Sequence, residues 1–205
     1  MAASDALSHN PEVYVVAKPV LQVIIGSTRP GRVGSAVADW IIDRARSHGD
    51  FEVEVTDLAV LNLPIFDEPN HPRFRRYVNQ HTKDWSEIVD RSDAFVFVIP
   101  EYNYGFNAAT KNAIDYLNQE WQNKPAGIVS YGGVAAGTRA AQMLKQVMSA
   151  LKMVPVTDSV NIPFVSEKLD EDRRLKPNEI MESAATAMLD ELARWAQALR
   201  PLRAS

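Results

Sequence analysis

From Val20 onward, short β-branched runs alternate with stretches whose apolar residues recur every three to four positions. That alternation is the signature of an α/β domain built on a parallel sheet. The runs fall at residues 21–25, 51–55, 94–99, 126–130 and 154–160. Those around Val23, Val96 and Ile128 are almost continuously apolar, as strands covered by helices on both faces must be. Between them lie helical stripes: Val33, Val37, Trp40, Ile41 and Ala45; Phe74, Tyr77, Val78, His81, Trp85, Ile88 and Val89; Ala140, Leu144, Val147, Met148 and Leu151; and Ile180, Ala184, Ala187, Met188, Leu192, Trp195 and Leu199. A shorter helix is predicted over 107–118. Five strands and five helices without an internal repeat predict a three-layer, doubly wound domain.

The length of 205 residues suits one domain. Residues 1–18 fall outside the alternating pattern and read as an N-terminal extension, leaving a single domain over 19–205. The extension carries Asp5 and Glu12, lacks a basic start and has only a five-residue apolar run, so it does not read as a secretory signal. No run approaches the roughly 18 apolar residues of a membrane span. With 22 Lys and Arg against 26 Asp and Glu, the chain offers no cationic excess for a nucleic acid. It contains no cysteine, which removes disulfides, thiolate metal sites and cysteine nucleophiles and suits a reducing, cytoplasmic setting. His9, His48, His71 and His81 have no metal-site spacing, so no metal is expected. His81 reads as a partly buried histidine with a local partner. Trp121, alone in a polar segment, reads either as a satellite of the core or as a subunit contact.

Seven of the nine glycines (Gly26, Gly31, Gly34, Gly105, Gly132, Gly133 and Gly137) sit in three loops, each following a predicted inner strand. In open α/β sheets ligands bind outside those strand ends. The first loop, "GSTRPGRVGS", precedes a helix and offers the hydroxyls of Ser27, Thr28 and Ser35, the cations Arg29 and Arg32, and the free N–H groups near Val33 and Gly34. That set suits a phosphate. The spacing nearly matches a nucleoside-triphosphatase loop, but Arg32 and Val33 replace the required Lys and magnesium-binding hydroxyl. A monophosphate without metal fits best. The second loop, "PEYNYG", crowds Pro100, Glu101, Tyr102, Asn103 and Tyr104 at a strand tip, where amides could read the edge of a flat heterocycle and tyrosines cover its face. The third, "SYGG", brings Ser130, Tyr131, Gly132 and Gly133 and a second set of close-approach amides. A flat ring with polar edges and one phosphate describes FMN.

"GSTRPGR", "PEYNYGFNAATKNAIDYL" and "SYGG…AGTRA" resemble the NAD(P)H-dependent FMN reductase family over about Val20 to Asn161. The resemblance implies a flavodoxin-like sheet of strand order 2-1-3-4-5 with helices on both faces. It implies tightly held FMN and dimers or pairs of dimers whose flavin sites are completed by the neighbouring subunit. It assigns the phosphate to Ser27, Arg29 and the backbone near 33–35, the ring edge to Pro100, Glu101, Tyr102 and Asn103, and further ring contacts to residues 130–133. Many members carry Ser and Asn where this chain has Arg32 and Gly34, so Arg32 either substitutes for those donors or points into solvent. Tyr102 and Tyr104 are expected to leave an extended segment in similar directions, with Asn103 facing the other way.

The activity implied is oxidoreduction. NADPH or NADH reduces the flavin, and a quinone, azo compound, free flavin or similar small molecule then takes two electrons. No separate catalytic side chain is expected, because the cofactor carries the hard chemistry. Two alternatives stay open at this point: a flavodoxin-type one-electron carrier, and a non-enzymatic interaction or sensor module on the same fold.

Overall fold

A computed structural model describes residues 17–203; all but the last two residues of the expected 1–18 extension lie outside it. In chain order the strands are β1 (Val20–Ile25), β2 (Glu52–Asp57), β3 (Ala94–Tyr102), β4 (Gly105–Phe106), β5 (Pro125–Tyr131), β6 (Val154–Pro155) and β7 (Val160–Ile162). The helices are α1 (Gly34–His48), α2 (Leu58–Leu61), α3 (Gln80–Arg91), α4 (Ala108–Asp115), α5 (Thr138–Ala150) and α6 (Glu179–Leu199). The sheet runs β2-β1-β3-β5-β6, with β7 also on β5 and β4 folded back on β3. Its main pairs are parallel, Val23 standing opposite Val55 on one side and Val96 on the other. With the two-residue β4 set aside and β6 and β7 taken as one interrupted strand, this is the flavodoxin-like order 2-1-3-4-5.

Side chains of the inner strands alternate between the two helical layers, as the period of two requires. Leu21, Val23, Ile25, Val96, Val98 and Val129 pack with α1 and α6 residues such as Val37, Ile41, Met188 and Leu192. Ile24, Phe95, Phe97, Ile99 and Ile128 pack on the other face with Trp85, Ile114, Leu144 and Met148 of α3, α4 and α5. Trp121 belongs to this second core. It is fully buried, edge-on to Phe95 with centroids 5.0 Å apart, and its Nε1 donates to Ile114 O at 3.2 Å. The core reading of Trp121 holds and the subunit-contact reading is withdrawn.

Three other expectations shift. The predicted fifth strand breaks in two at the polar residues 157–159; Pro155 keeps its place at the edge because the ladder bonds to β5 come from its neighbours, Val154 N to Lys124 O and Val156 N to Ala126 O. The stripe from Phe74 is α-helical only from Gln80, Phe74 itself closing a separate single 3-10 turn at Pro72–Phe74. Glu68 accepts from the N–H groups of Val78 and Asn79, both at 2.9 Å, fixing the backbone before the helix, and Phe74 and Val78 are exposed. On α6 the buried set is Met181, Ala185, Met188, Leu189, Leu192, Ala196 and Leu199, so Ile180 and Trp195 face outward. That helix is apolar enough to offer two overlapping stripes, and the sheet selects one. His81 takes its expected local partner, Asp67 Oδ1, at 2.9 Å. Among the described residues no helix is long and apolar enough to cross a membrane.

Candidate active site

The loops after β1, β3 and β5 converge at the carboxyl ends of their strands on a cavity of about 320 Å³. From the expected set it is lined by Ser27, Arg29, Arg32, Val33, Pro100, Glu101, Tyr102, Tyr131, Gly132 and Gly133. The other expected residues lie elsewhere. Thr28 faces a separate cleft with Leu58, Asn62 and Ala109. Ser35 opens on a neighbouring cavity along α1. Ser130 is fully buried, its Oγ 2.9 Å from Ala136 O and 2.8 Å from Asn161 Oδ1, so it braces the third loop.

The first loop is pinned from below. Gly26 N donates to Val98 O at 2.9 Å, and Asn107 Nδ2 donates to Gly26 O at 2.6 Å. A Cβ on Gly26 would strike the Thr110 hydroxyl, which itself donates to Asn107 Oδ1 at 2.8 Å. Asn107 and Thr110, absent from the expected set, therefore fix where the loop leaves the strand. Above them, α1 starts from Val33 with no side-chain cap and no acidic residue in its first turn. Its first N–H groups stay available to an anion. Arg29 is exposed beside them. Arg32 is neither in solvent nor free: Nη1 donates to Ser27 O at 2.9 Å and Nη2 pairs with Asp57. Asp57 also accepts from Ala59 N at 2.9 Å, so one carboxylate ties the loop to the start of α2. Gly34 is buried because Tyr131 Oη occupies the space a Cβ would need. Among the described residues no partner meets that hydroxyl in good hydrogen-bond geometry, and burial pushes its pKa upward against the pull of the neighbouring Ser27 hydroxyl.

The second loop departs from the extended reading. Asn103 and Tyr104 both have positive φ, 49° and 72°, between the paired residues Tyr102 and Gly105. This is the two-residue turn of a tight hairpin, whose primed type fits the twist of the flanking strands. The two tyrosines consequently diverge. Tyr102 reaches the first loop, its Oη 3.1 Å from Ser27 Oγ. Tyr104 stays exposed and lies under the Arg139 guanidinium, 3.8 Å from the ring centroid. Glu101 is committed to structure as well. Its carboxylate accepts from Arg139 Nε at 2.6 Å and Arg139 N at 3.1 Å, capping α5.

In the third loop Gly137, at φ 78°, turns the chain so closely that a Cβ would meet the backbone of Tyr131. Gly133 borders open space, which lets its backbone approach a ligand. The fourth wall, residues 164–167, was missed from sequence. It is held by bonds from Phe164 N to Gly133 O and Val165 N to Gly132 O, each 3.2 Å. It follows a three-residue strand and carries no glycine, so only the sheet order brings it to the site.

The donor set suits FMN. The uncapped start of a fifteen-residue helix and the exposed Arg29 border the cavity, and two tyrosines, a proline and two glycines share the rest of its lining with Glu101 and residues 164–167. The family described as NADPH-dependent FMN reductase matches residues 20–167, and the chain belongs to it. An NAD(P)H-dependent FMN reductase of Schizosaccharomyces pombe is 39% identical over 157 residues, covering 75% of this chain and 78% of that one. A quinone reductase of Pseudomonas putida is 32% identical over 149 residues, covering 69% and 73%. Among solved structures, the flavoenzyme NAD(P)H:(acceptor) oxidoreductase of Paracoccus denitrificans shares the fold with a TM-score of 0.69 at 21% identity, over 88% of this chain and 98% of that one. The protein is an FMN-dependent NAD(P)H oxidoreductase of the quinone-reductase type.

Proposed function

We propose that the cavity between the three loops holds the FMN phosphate against the start of α1 and Arg29, and the ring beside Pro100, Tyr102, Gly132 and Gly133. The observation that carries this reading is the uncapped N-terminus of α1 with the exposed Arg29 beside it, bordering a cavity that Pro100, Tyr102, Tyr131, Gly132 and Gly133 also line. When held there, FMN would supply the redox chemistry that links the nicotinamide to an acceptor. The chain's own residues bind and orient. Arg29 and the α1 N–H groups neutralise the phosphate, while Arg32, spent on Asp57 and the Ser27 carbonyl, shapes the loop. Glu101 fixes the tip of β3 to α5 through Arg139 and thereby sets the hairpin that carries Tyr102 and Tyr104.

The acceptor is a small flat molecule such as a quinone, with neither a nucleic acid nor a membrane as partner. The working form is a homodimer or homotetramer in the cytoplasm. Exposed apolar side chains concentrate along residues 60–78, at Val60, Ile65, Phe66, Phe74 and Val78, as a subunit contact requires. The test is the visible spectrum of the purified protein, followed by NADH and NADPH oxidation against a quinone panel. A yellow protein that consumes nucleotide only with an acceptor supports the reading. A colourless protein that takes up no FMN overturns it.

A further inference from the structure

A second cavity, about 700 Å³, lies beside the flavin cavity and shares Arg32 and Val33 with it. One wall is α1. The other is the segment Leu169–Leu175, closed on itself by a bridge between those two residues. The segment is fastened over the phosphate loop: Arg173, at φ 62°, donates from Nη2 to Gly31 O at 3.1 Å. The next residue, Arg174, bonds through its backbone, donating from N to Asp170 Oδ1 at 2.8 Å and accepting at O from Asp170 N at 2.9 Å. Among the described residues its guanidinium has no partner, and it is exposed on the cavity. The lining is polarised, with two arginines and Asp172 on the hairpin wall and Asp39 and Asp43, one helical turn apart, on the α1 wall. Val33, Leu169 and the edge of Trp40 add apolar surface.

We propose that this cavity is the donor-nucleotide subsite, where Arg174 takes the 2′-phosphate of NADPH while the rest of the nucleotide passes over the shared rim of Arg32 and Val33, outside the seated FMN phosphate, to bring the nicotinamide to the flavin ring. The proposal rests on the FMN-reductase reading and goes beyond it by naming the subsite and the preferred donor. An unpaired guanidinium offers a phosphate a charge-assisted, two-pronged hydrogen bond. The carboxylates on the opposite wall repel a phosphate and accept from ribose hydroxyls or the adenine amino group, which fixes the orientation. The apolar lining suits an adenine face. NADH lacks the 2′-phosphate and leaves Arg174 as it stands.

The test uses the FMN-loaded enzyme with Arg174→Ala. The KM for NADPH is expected to rise roughly tenfold or more while kcat and all NADH constants stay unchanged, the pattern of lost ground-state binding. Calorimetry supplies a readout apart from turnover: wild-type protein binds 2′,5′-ADP about tenfold or more tighter than 5′-AMP, and Arg174→Ala erases the difference. Equal effects on NADH and NADPH, or no preference for 2′,5′-ADP, would overturn the subsite. Should the wild type oxidise neither nucleotide, the parent reading falls alone, because the 2′,5′-ADP titration still decides the subsite.

Discussion

The hydroxyls of Ser27 and Tyr102 stand 3.1 Å apart although 75 residues separate them in the chain. Through that contact the tip of β3 touches the loop that follows β1, so the two walls of the cavity they carry are mechanically joined. Tyr102→Phe should loosen the join without emptying the site. The expected result is FMN bound several-fold more weakly with the melting temperature nearly unchanged, since a single partly exposed neutral hydrogen bond is worth about 1 kcal/mol. Flavin fluorescence titration and thermal unfolding measure the two together.

Gly34 and Tyr131 form a matched pair. Gly34→Ala pushes a methyl into the Tyr131 hydroxyl, whose ring is fixed between the layers, and should destabilise the protein by about 1–3 kcal/mol. Tyr131→Phe removes a buried hydroxyl that makes no well-formed hydrogen bond among the described residues, so alone it should leave stability unchanged or raise it by about 1 kcal/mol. Combined, the two should cost clearly less than Gly34→Ala alone, because the next atom facing the new methyl is 3.4 Å away. Denaturant unfolding of the four proteins closes the cycle.

Trp121→Ala should destabilise the fold by about 3–5 kcal/mol through the cavity it leaves among Phe95, Phe97 and Trp85. Light scattering of the folded fraction should show the same association state as the wild type. A variant of normal stability that falls apart into monomers would restore the interface role.

Lys124 is buried beneath β5 and donates to Val89 O and Asp90 O at 2.7 and 2.8 Å, at the end of α3. Burial pulls its pKa from 10.5 down to about 8. Between those values the unfolded chain holds the proton and the folded chain releases it, so this group makes stability rise with pH from about 8 toward 10. The unfolding midpoint of the wild type, minus that of Lys124→Met, should climb across that window. A flat difference would show that the ammonium stays charged in the fold.

The inner sheet and the three glycine loops were legible because β1, β3 and β5 are covered on both faces and leave unbroken apolar runs. What escaped was decided by partners distant in sequence. Asn103 and Tyr104 adopt left-handed backbone in "YNYG", where the glycine lies one place beyond the turn and hides the usual signal. Arg32 reads as a phosphate cation until Asp57, 25 residues on, claims it. Glu101 reads as a ring contact until α5 presents Arg139 and its own unsatisfied N–H groups. Such side chains could serve either a ligand or the fold, and the choice depends on which partner the topology brings first.

With the start of α1 and Arg29 proposed as the seat of the FMN phosphate, Arg29→Ala is the sharpest probe of the site. Arg29 is exposed, so the fold should survive its loss. A charge-assisted hydrogen bond is worth roughly 1.5–3 kcal/mol, which corresponds to about one to two orders of magnitude in affinity. Titrating wild-type and Arg29→Ala apoprotein with FMN and, separately, with riboflavin isolates the phosphate. The substitution should weaken FMN binding by that factor and leave riboflavin binding unchanged. Equal FMN affinity in the two proteins would contradict it.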